Sequence, residues 1–391
     1  MIPLMKSTFL NEGETKTALA EFIVNSTKLS MGTECLNFER SFSIYQNRKE
    51  AILFNSGGSA NLAMLQALKN LGKFKDGDRI GFSALTWSTN VMPIIQMGLT
   101  PIPIDCNIST LNVMCNNVAA VIENLNIKGI FVTNVLGFTG DLENIKDICE
   151  SKNVILLEDN CESLGTELFH TKAGNFGLAS SFSFFVAHHM STIEGGMLVT
   201  DDAELAEMLR IVRANGWDRN LTSFQQNKWR NKFNIKSEFD AKYTFYDLGF
   251  NFRPTEITGF LGQFQLQFLK ENIIKRIENY LLIEKTIEKN DEIILLNRDH
   301  IKRLSSFAIP VVCRNKELRT KYFNKFSEAN IEIRPIIAGN MQKQPFFKKY
   351  VKNEFLLPNT DFIHNCGFYC GNYPELSADD LFLISRSLEK Q

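Results

Sequence analysis

Seven short apolar runs, separated by stretches of helical periodicity, fill the first two-thirds of this chain and constrain its fold more than any other feature. They lie at Ala51–Phe54, Arg79–Phe82, Pro101–Asp105, Gly129–Thr133, Val154–Leu157, Ser181–Phe185 and Met197–Thr200. Strands alternating with helices predict an α/β fold, a mostly parallel sheet with helices on both faces. Asp201 and Asp202 are placed to cap one such helix ahead of Leu205, Leu209 and Val212. Another helical block starts near Pro254, where Ile257, Leu261, Phe264 and Phe268 recur at helical spacing and Thr255 stands at the cap. Beyond about residue 275 the pattern changes to a long helix, a strand at Phe307–Val312, a helix from about Lys316 and a strand at Ile331–Arg334. The expected division is a large α/β domain over residues 1–275 and a smaller C-terminal α+β domain over 276–391.

Charge and composition exclude several classes. The net charge is −1 over 391 residues, which gives no electrostatic footprint for nucleic acid or an anionic membrane. No run of 18 apolar residues exists. The N-terminal stretch carries Glu12 and lacks the apolar centre of a secretory signal, so a cytoplasmic protein is expected. The eight cysteines, at 35, 106, 115, 149, 161, 313, 366 and 370, form no CxxC pair. They read as structural thiols, and no metal is expected.

Three segments carry chemistry. Asn55-Ser56-Gly57-Gly58-Ser59-Ala60-Asn61 joins a strand to a helix. Glycines let the backbone approach an anion, and a helix start offers free N–H groups, which suits a phosphate. A plain glycine turn explains the same residues equally well. It is neither a dinucleotide fingerprint nor a Walker loop. Glu158 and Asp159 end a strongly apolar strand. Ligands of parallel sheets bind beyond such strand ends, and an aspartate there can pair with a protonated heterocycle nitrogen. A solvated loop or helix cap is the competing reading. Finally, the aromatic strand ending at Phe185 runs into Val186-Ala187-His188-His189 and then Glu194-Gly195-Gly196. Adjacent histidines rarely chelate one ion together, and no carboxylate or cysteine stands at i+4 to help.

Together these segments resemble the DegT/DnrJ/EryC1/StrS family of sugar aminotransferases, enzymes of the fold type I pyridoxal-phosphate class. The resemblance runs from Leu29-Ser30-Met31-Gly32 to Gly371-Asn372-Tyr373-Pro374. It implies a mixed, mostly parallel seven-stranded sheet with a smaller C-terminal domain. It implies a pyridoxal 5′-phosphate or pyridoxamine 5′-phosphate cofactor whose phosphate is held by Gly57, Gly58, Ser59 and Ser183. Trp87 matches the aromatic residue that stacks on the pyridine ring, and Asp159 matches the pyridinium partner. Glu162 falls where the family often has Gln or His. Asn251, in Gly249-Phe250-Asn251-Phe252-Arg253, would reach the cofactor phosphate of a neighbouring subunit, which implies a homodimer with shared active sites.

The departure is at the lysine. Ordinary members carry one five residues after the phosphate serine, and here that position is His188; the next lysines in either direction are Lys172 and Lys228. An imidazole forms no stable Schiff base, but it exchanges protons near neutral pH. Ala187-His188-His189 with Glu194-Gly195-Gly196 looks like the branch of the family that dehydrates 4-keto-6-deoxy sugar nucleotides at C3. In that branch the amine of the cofactor condenses with the C4 ketone, and the histidine removes a proton from the cofactor methylene. The C3 hydroxyl then leaves, and hydrolysis releases a 3-deoxy sugar and ammonia. The type acting on CDP-sugars carries a cysteine cluster for a [2Fe–2S] centre downstream of the histidine, whereas no Cys stands between 161 and 313 here. The other type acts on GDP-4-keto-6-deoxymannose and is fed by L-glutamate; this chain is similar to it. The resemblance implies a role in deoxysugar and lipopolysaccharide O-antigen biosynthesis. Arg253 is closer to the aminotransferases, so glutamate-to-sugar transamination without the lysine is the alternative activity. His189, Arg253 and Arg334 are candidate contacts to the substrate, the two arginines through forked hydrogen bonds to a carboxylate or diphosphate.

Overall fold

A computed structural model describes residues 1–390. All seven apolar runs form strands of one sheet: β1 (Glu50–Phe54), β2 (Arg79–Ser83), β3 (Thr100–Ile104), β4 (Ile127–Thr133), β5 (Ile155–Asp159), β6 (Ala179–Ser183) and β7 (Gly196–Thr200). Their order is β1-β7-β6-β5-β4-β2-β3. Strands β2 to β6 pair in parallel, while β7 runs antiparallel to both β6 and β1. The sheet is therefore mixed and mostly parallel. Strand β6 stops at Ser183 rather than Phe185. Beyond it the chain pairs with itself, Phe184 N–H donating to Gly195 O and Thr192 N–H to Phe184 O, both at 2.9 Å. Strand β5 extends through Asp159, so both of its acidic residues lie in the strand.

Phenylalanine, 32 residues of the sequence, closes one face of the sheet. Phe42, on helix α1 (Thr33–Gln46), packs edge-on against Phe182 and Phe184 at 5.2 and 5.4 Å between ring centroids. All three are fully buried, each contributing about 1.5–3 kcal/mol from burial. On the other face lies helix α2 (Gly57–Asn70), which starts three residues after β1 ends. Helix α3 (Glu256–Leu266) is capped as expected, Thr255 accepting from Thr258 N–H. Its Glu256 carboxylate accepts the N–H groups of Gly32, Glu34 and Cys35 at 2.7, 3.0 and 3.2 Å. These are unsatisfied donors at the start of α1, and a negative charge there complements the helix dipole. Of the two aspartates expected to cap the helix over Ala203–Arg213, only Asp202 does so. Asp201 turns back to accept from Lys49 N–H and pair with Arg48.

Helix α4 (Leu269–Ile287) runs through residue 275 toward a second, three-stranded antiparallel sheet. Its strands are β8 (Ala308–Val312), β9 (Ile333–Arg334) and β10 (Gly367–Gly371), in the order β8-β10-β9. The central β10 was not expected, because five residues bounded by glycines carry little strand signal. Ile2 forms a parallel bridge with Ile331, and Leu4 N–H donates to Glu332 at 3.0 Å. The segment that follows, Met5 to Leu10, is thereby laid against the loop that carries His188. Among the described residues, no helix is long and apolar enough to cross a membrane.

Candidate active site

The C-terminal ends of β5 and β6, with the start of α2, bring the sequence-derived residues together. This is the crevice in which open α/β sheets bind ligands. In register, Asp159 lies beside Thr133 of β4 and Ser181 of β6. Ser183 ends β6 directly against Gly57. A Cβ on Gly57 would stand 2.8 Å from Ser183 Cβ and 3.2 Å from Cys161 Sγ, so only glycine fits. Ser56 caps the helix by accepting from Ser59 N–H at 3.1 Å. The Gly57 and Gly58 N–H groups, at the first two positions of the helix, find no acceptor in the chain. Two free donors, the positive end of a fourteen-residue helix and the Ser183 hydroxyl fit a phosphate by donor set and by space. Gly58 faces Thr89, two residues beyond Trp87. The Trp87 indole itself is 54% exposed, open for a planar ring to cover.

The two acidic residues of β5 separate by strand alternation. Glu158 is fully buried and accepts from Gly174, Phe176 and Gly177 N–H at 2.7–2.8 Å, holding that loop in place. Asp159 faces the crevice side. Its Oδ1 accepts from Cys161 N–H at 2.9 Å, and its Oδ2 accepts from the side-chain amides of Asn61 and Asn90 at 2.8 and 2.7 Å. Glu162 accepts from Leu136 N–H at 2.9 Å. Burial pushes its carboxyl up to about 7, the Leu136 bond opposes this, and the Asp159 charge adds to it.

His188 follows a tight turn in which its N–H donates to Phe185 O at 3.1 Å and Ala187 takes a left-handed φ of 84°. The ring is partly exposed. Its Nδ1 lies 3.2 Å from the same Phe185 carbonyl, and Phe307 packs 5.3 Å away. Desolvation pushes the imidazole down to about 4, against the raising pull of the Phe185 carbonyl and of Asp159; Arg276 lowers it further. The carbonyl can only accept, so the proton sits on Nδ1 and Nε2 is a free base. His188 lines a cleft with Ser7, Thr8, Ser191, Arg276 and Glu375. Lys6 reaches this cleft as well, an exposed residue whose charge acts on Asp380. Lys172 is held elsewhere, 3.9 Å over the Tyr45 ring and bonded to the Tyr45 carbonyl.

The remaining candidates lie apart. His189 is fully buried, with Nε2 3.1 Å from Ser305 O and its own carbonyl bonded by Asn272. It ties the loop to the C-terminal part of the chain and faces no crevice. Asn251 is exposed and Arg253 partly so, on a segment joined to the phosphate seat by Asn55 N–H donating to Phe252 O at 3.0 Å. Arg334 is exposed and paired with Glu332. It stands opposite Tyr369 in β10, whose phenol burial pushes up to about 12; the charge of Glu162 raises it further, and that of Arg334 opposes. Sequence reasoning missed Asn61, Asn90, Arg276 and the Met5–Leu10 segment. The only signal for the first was a polar residue among the buried apolar positions Ala60, Ala63 and Met64 of α2.

The sequence profile of the DegT/DnrJ/EryC1/StrS aminotransferase family matches residues 11–389. GDP-4-keto-6-deoxy-D-mannose 3-dehydratase of Yersinia pseudotuberculosis is 32% identical over 377 residues, 95% of this chain and 94% of that one. The lipopolysaccharide biosynthesis protein RfbH of Salmonella typhimurium is 30% identical over 90% of this chain and 84% of its own length. Among solved structures, GDP-4-keto-6-deoxymannose-3-dehydratase superposes with a TM-score of 0.90 at 30% identity over 100% of both chains. This holds for a histidine-to-asparagine variant with bound GDP-perosamine and for a form with a trapped PLP-glutamate geminal diamine.

Proposed function

Because the chain belongs to the DegT/DnrJ/EryC1/StrS aminotransferase family, we propose that it removes the C3 hydroxyl from a nucleotide-linked 4-keto-6-deoxyhexose, using pyridoxamine phosphate and L-glutamate. The observation that carries this reading is His188. By the resemblance it stands where the family keeps its cofactor lysine, and it offers a free imidazole nitrogen rather than an amine. When bound, pyridoxamine phosphate supplies the amine that joins the C4 ketone and the electron-withdrawing ring that lets the C3 substituent depart. The Gly57 and Gly58 amides, Ser59 and Ser183 would hold its phosphate. Trp87 would cover the ring, Asp159 would accept a hydrogen bond from the protonated ring nitrogen, and Glu162 would lie alongside. His188 Nε2 accepts the proton released next to the reacting carbon, and its Nδ1–H bond to Phe185 keeps it in that tautomer.

Arg253 and Arg334 are assigned to a carboxylate or diphosphate of the substrates. Asn251, exposed and bonded to no side chain of its own subunit, is assigned to the cofactor phosphate of a second copy, so the active form is a homodimer. A cytoplasmic biosynthetic role in O-antigen deoxysugar supply follows from the same reading. The two relatives named for GDP-4-keto-6-deoxymannose make that sugar the first substrate to try. The test is incubation with glutamate and this sugar nucleotide, followed by mass spectrometry of the product. A 3-deoxy sugar with ammonia and 2-oxoglutarate supports dehydration. An amino sugar retaining its C3 oxygen would assign the chain to transamination instead.

A further inference from the structure

We propose that Asn61 and Asn90 are positioning residues that orient the Asp159 carboxylate toward the cofactor's ring nitrogen. The inference rests on the cofactor reading above and adds to it the device that keeps the ring protonated. Asn61 lies in the first turns of α2, and Asn90 ends the short turn Ser88–Asn90 that follows Trp87. Both are essentially fully buried, and both direct their amide nitrogens at the same oxygen, Asp159 Oδ2. The Cys161 N–H takes Oδ1. Asp159 therefore meets three N–H donors. All three donate to it, so together they fix the plane of the carboxylate and use its oxygens only as acceptors. Two donors fill the two lone-pair sites of Oδ2. Oδ1 has one donor and keeps one site, which is the site left for a pyridinium N–H.

The opposite ends of the two amides strengthen the case. Asn61 Oδ1 and Asn90 Oδ1 are buried and meet no donor of the chain. Buried polar atoms are paired as a rule, and an asparagine serving packing alone would satisfy both of its ends. Reversing either amide would set its oxygen against a carboxylate, so the assignment of nitrogen toward Asp159 is forced by charge. Two elements separated in sequence, one beneath the phosphate seat and one beside the ring platform, thus converge on a single oxygen. A change in either would disturb the electronic state of the ring and leave the phosphate contacts in place.

The experiment uses Asn61→Ala, Asn90→Ala, the double variant and the similarly shaped Asn61→Leu, with Asp159→Asn as the reference. Pyridoxamine phosphate affinity is measured by equilibrium dialysis, and the absorbance of the bound cofactor is followed against pH to read ring-nitrogen protonation. The double variant is expected to bind about tenfold more weakly or worse and to lose its ring proton at least about one pH unit earlier. Asn61→Leu, which keeps the branched shape and removes the donor, is expected to shift in the same direction; it keeps the test valid if the alanine variants fail to fold. Affinity within twofold of wild type together with an unchanged titration in every folded variant would overturn the proposal. A wild-type protein that binds no pyridoxamine phosphate would instead overturn the cofactor reading beneath it.

Discussion

The Nδ1 atom of His188 faces the carbonyl oxygen of Phe185 at 3.2 Å, and this contact decides which nitrogen is the base. With the proton on Nδ1, Nε2 carries the lone pair. His188→Asn keeps a donor to the carbonyl and removes the base. Turnover is expected to fall by about 10²–10⁴-fold, with pyridoxamine phosphate binding within a few-fold of wild type. His188→Lys is expected to lose dehydration and to gain a borohydride-fixed cofactor, detectable as added mass on the peptide containing residue 188. Borohydride should fix nothing to the wild-type chain. A wild-type adduct on Lys6, the lysine at the same cleft, would contradict the assignment.

Two groups of the site titrate in opposite senses. The free imidazole of His188 is held down to about 4. Between there and its ordinary value near 6.5 the unfolded chain binds more protons, so this residue makes stability rise with pH across that window. The Glu162 carboxyl is held up to about 7. From its ordinary value to about 7 the folded chain binds more protons, so its contribution is complete at low pH and lost as pH rises through 7. Urea denaturation of Glu162→Gln from pH 4.5 to 7.5 should lack that decline. An unchanged profile would show that Glu162 is solvated.

Gly57→Ala tests the phosphate seat. Its Cβ would press on Ser183 Cβ, so either the start of α2 or the end of β6 must shift. Cofactor affinity is expected to fall about tenfold or more, because a displacement of a few tenths of an ångström misaligns several charge-assisted bonds at once. Isothermal titration with pyridoxamine phosphate reads this directly, and Gly13→Ala, at a glycine with open space around it, is the control for glycine removal as such.

The proposed sharing of active sites between two copies predicts complementation. Asn251→Ala and His188→Asn should each be nearly inactive alone. Mixed dimers of the two carry one site with both residues intact. Co-expression should restore roughly a quarter of wild-type activity on statistical mixing of a C2 dimer. No recovery on demonstrated mixing would place Asn251 in its own subunit's site.

The apolar runs were readable because each lies in a mostly parallel sheet covered on both faces, which demands continuous hydrophobicity. Strand β10 was not readable, being short and ended by glycines. His188 was legible through its spacing from Ser183. Its neighbour His189 was not separable from it, because only the left-handed Ala187 and the pairing of the loop with itself turn one ring outward and bury the other. Asn61 and Asn90 were opaque for a different reason. An amide among buried apolar residues acquires meaning only when its partner is known, and Asp159 lies 98 and 69 positions away in the chain.

The bridge between Ile2 and Ile331 has a consequence for synthesis. The segment walling the cleft beside His188 is translated long before its anchor at Ile331. The large sheet can assemble while translation continues, but this wall must wait, unpaired, until the final sheet exists. Contacts of such long separation form late. A nascent chain stalled short of residue 331 would therefore present a folded sheet and phosphate seat with the cleft beside His188 left unwalled.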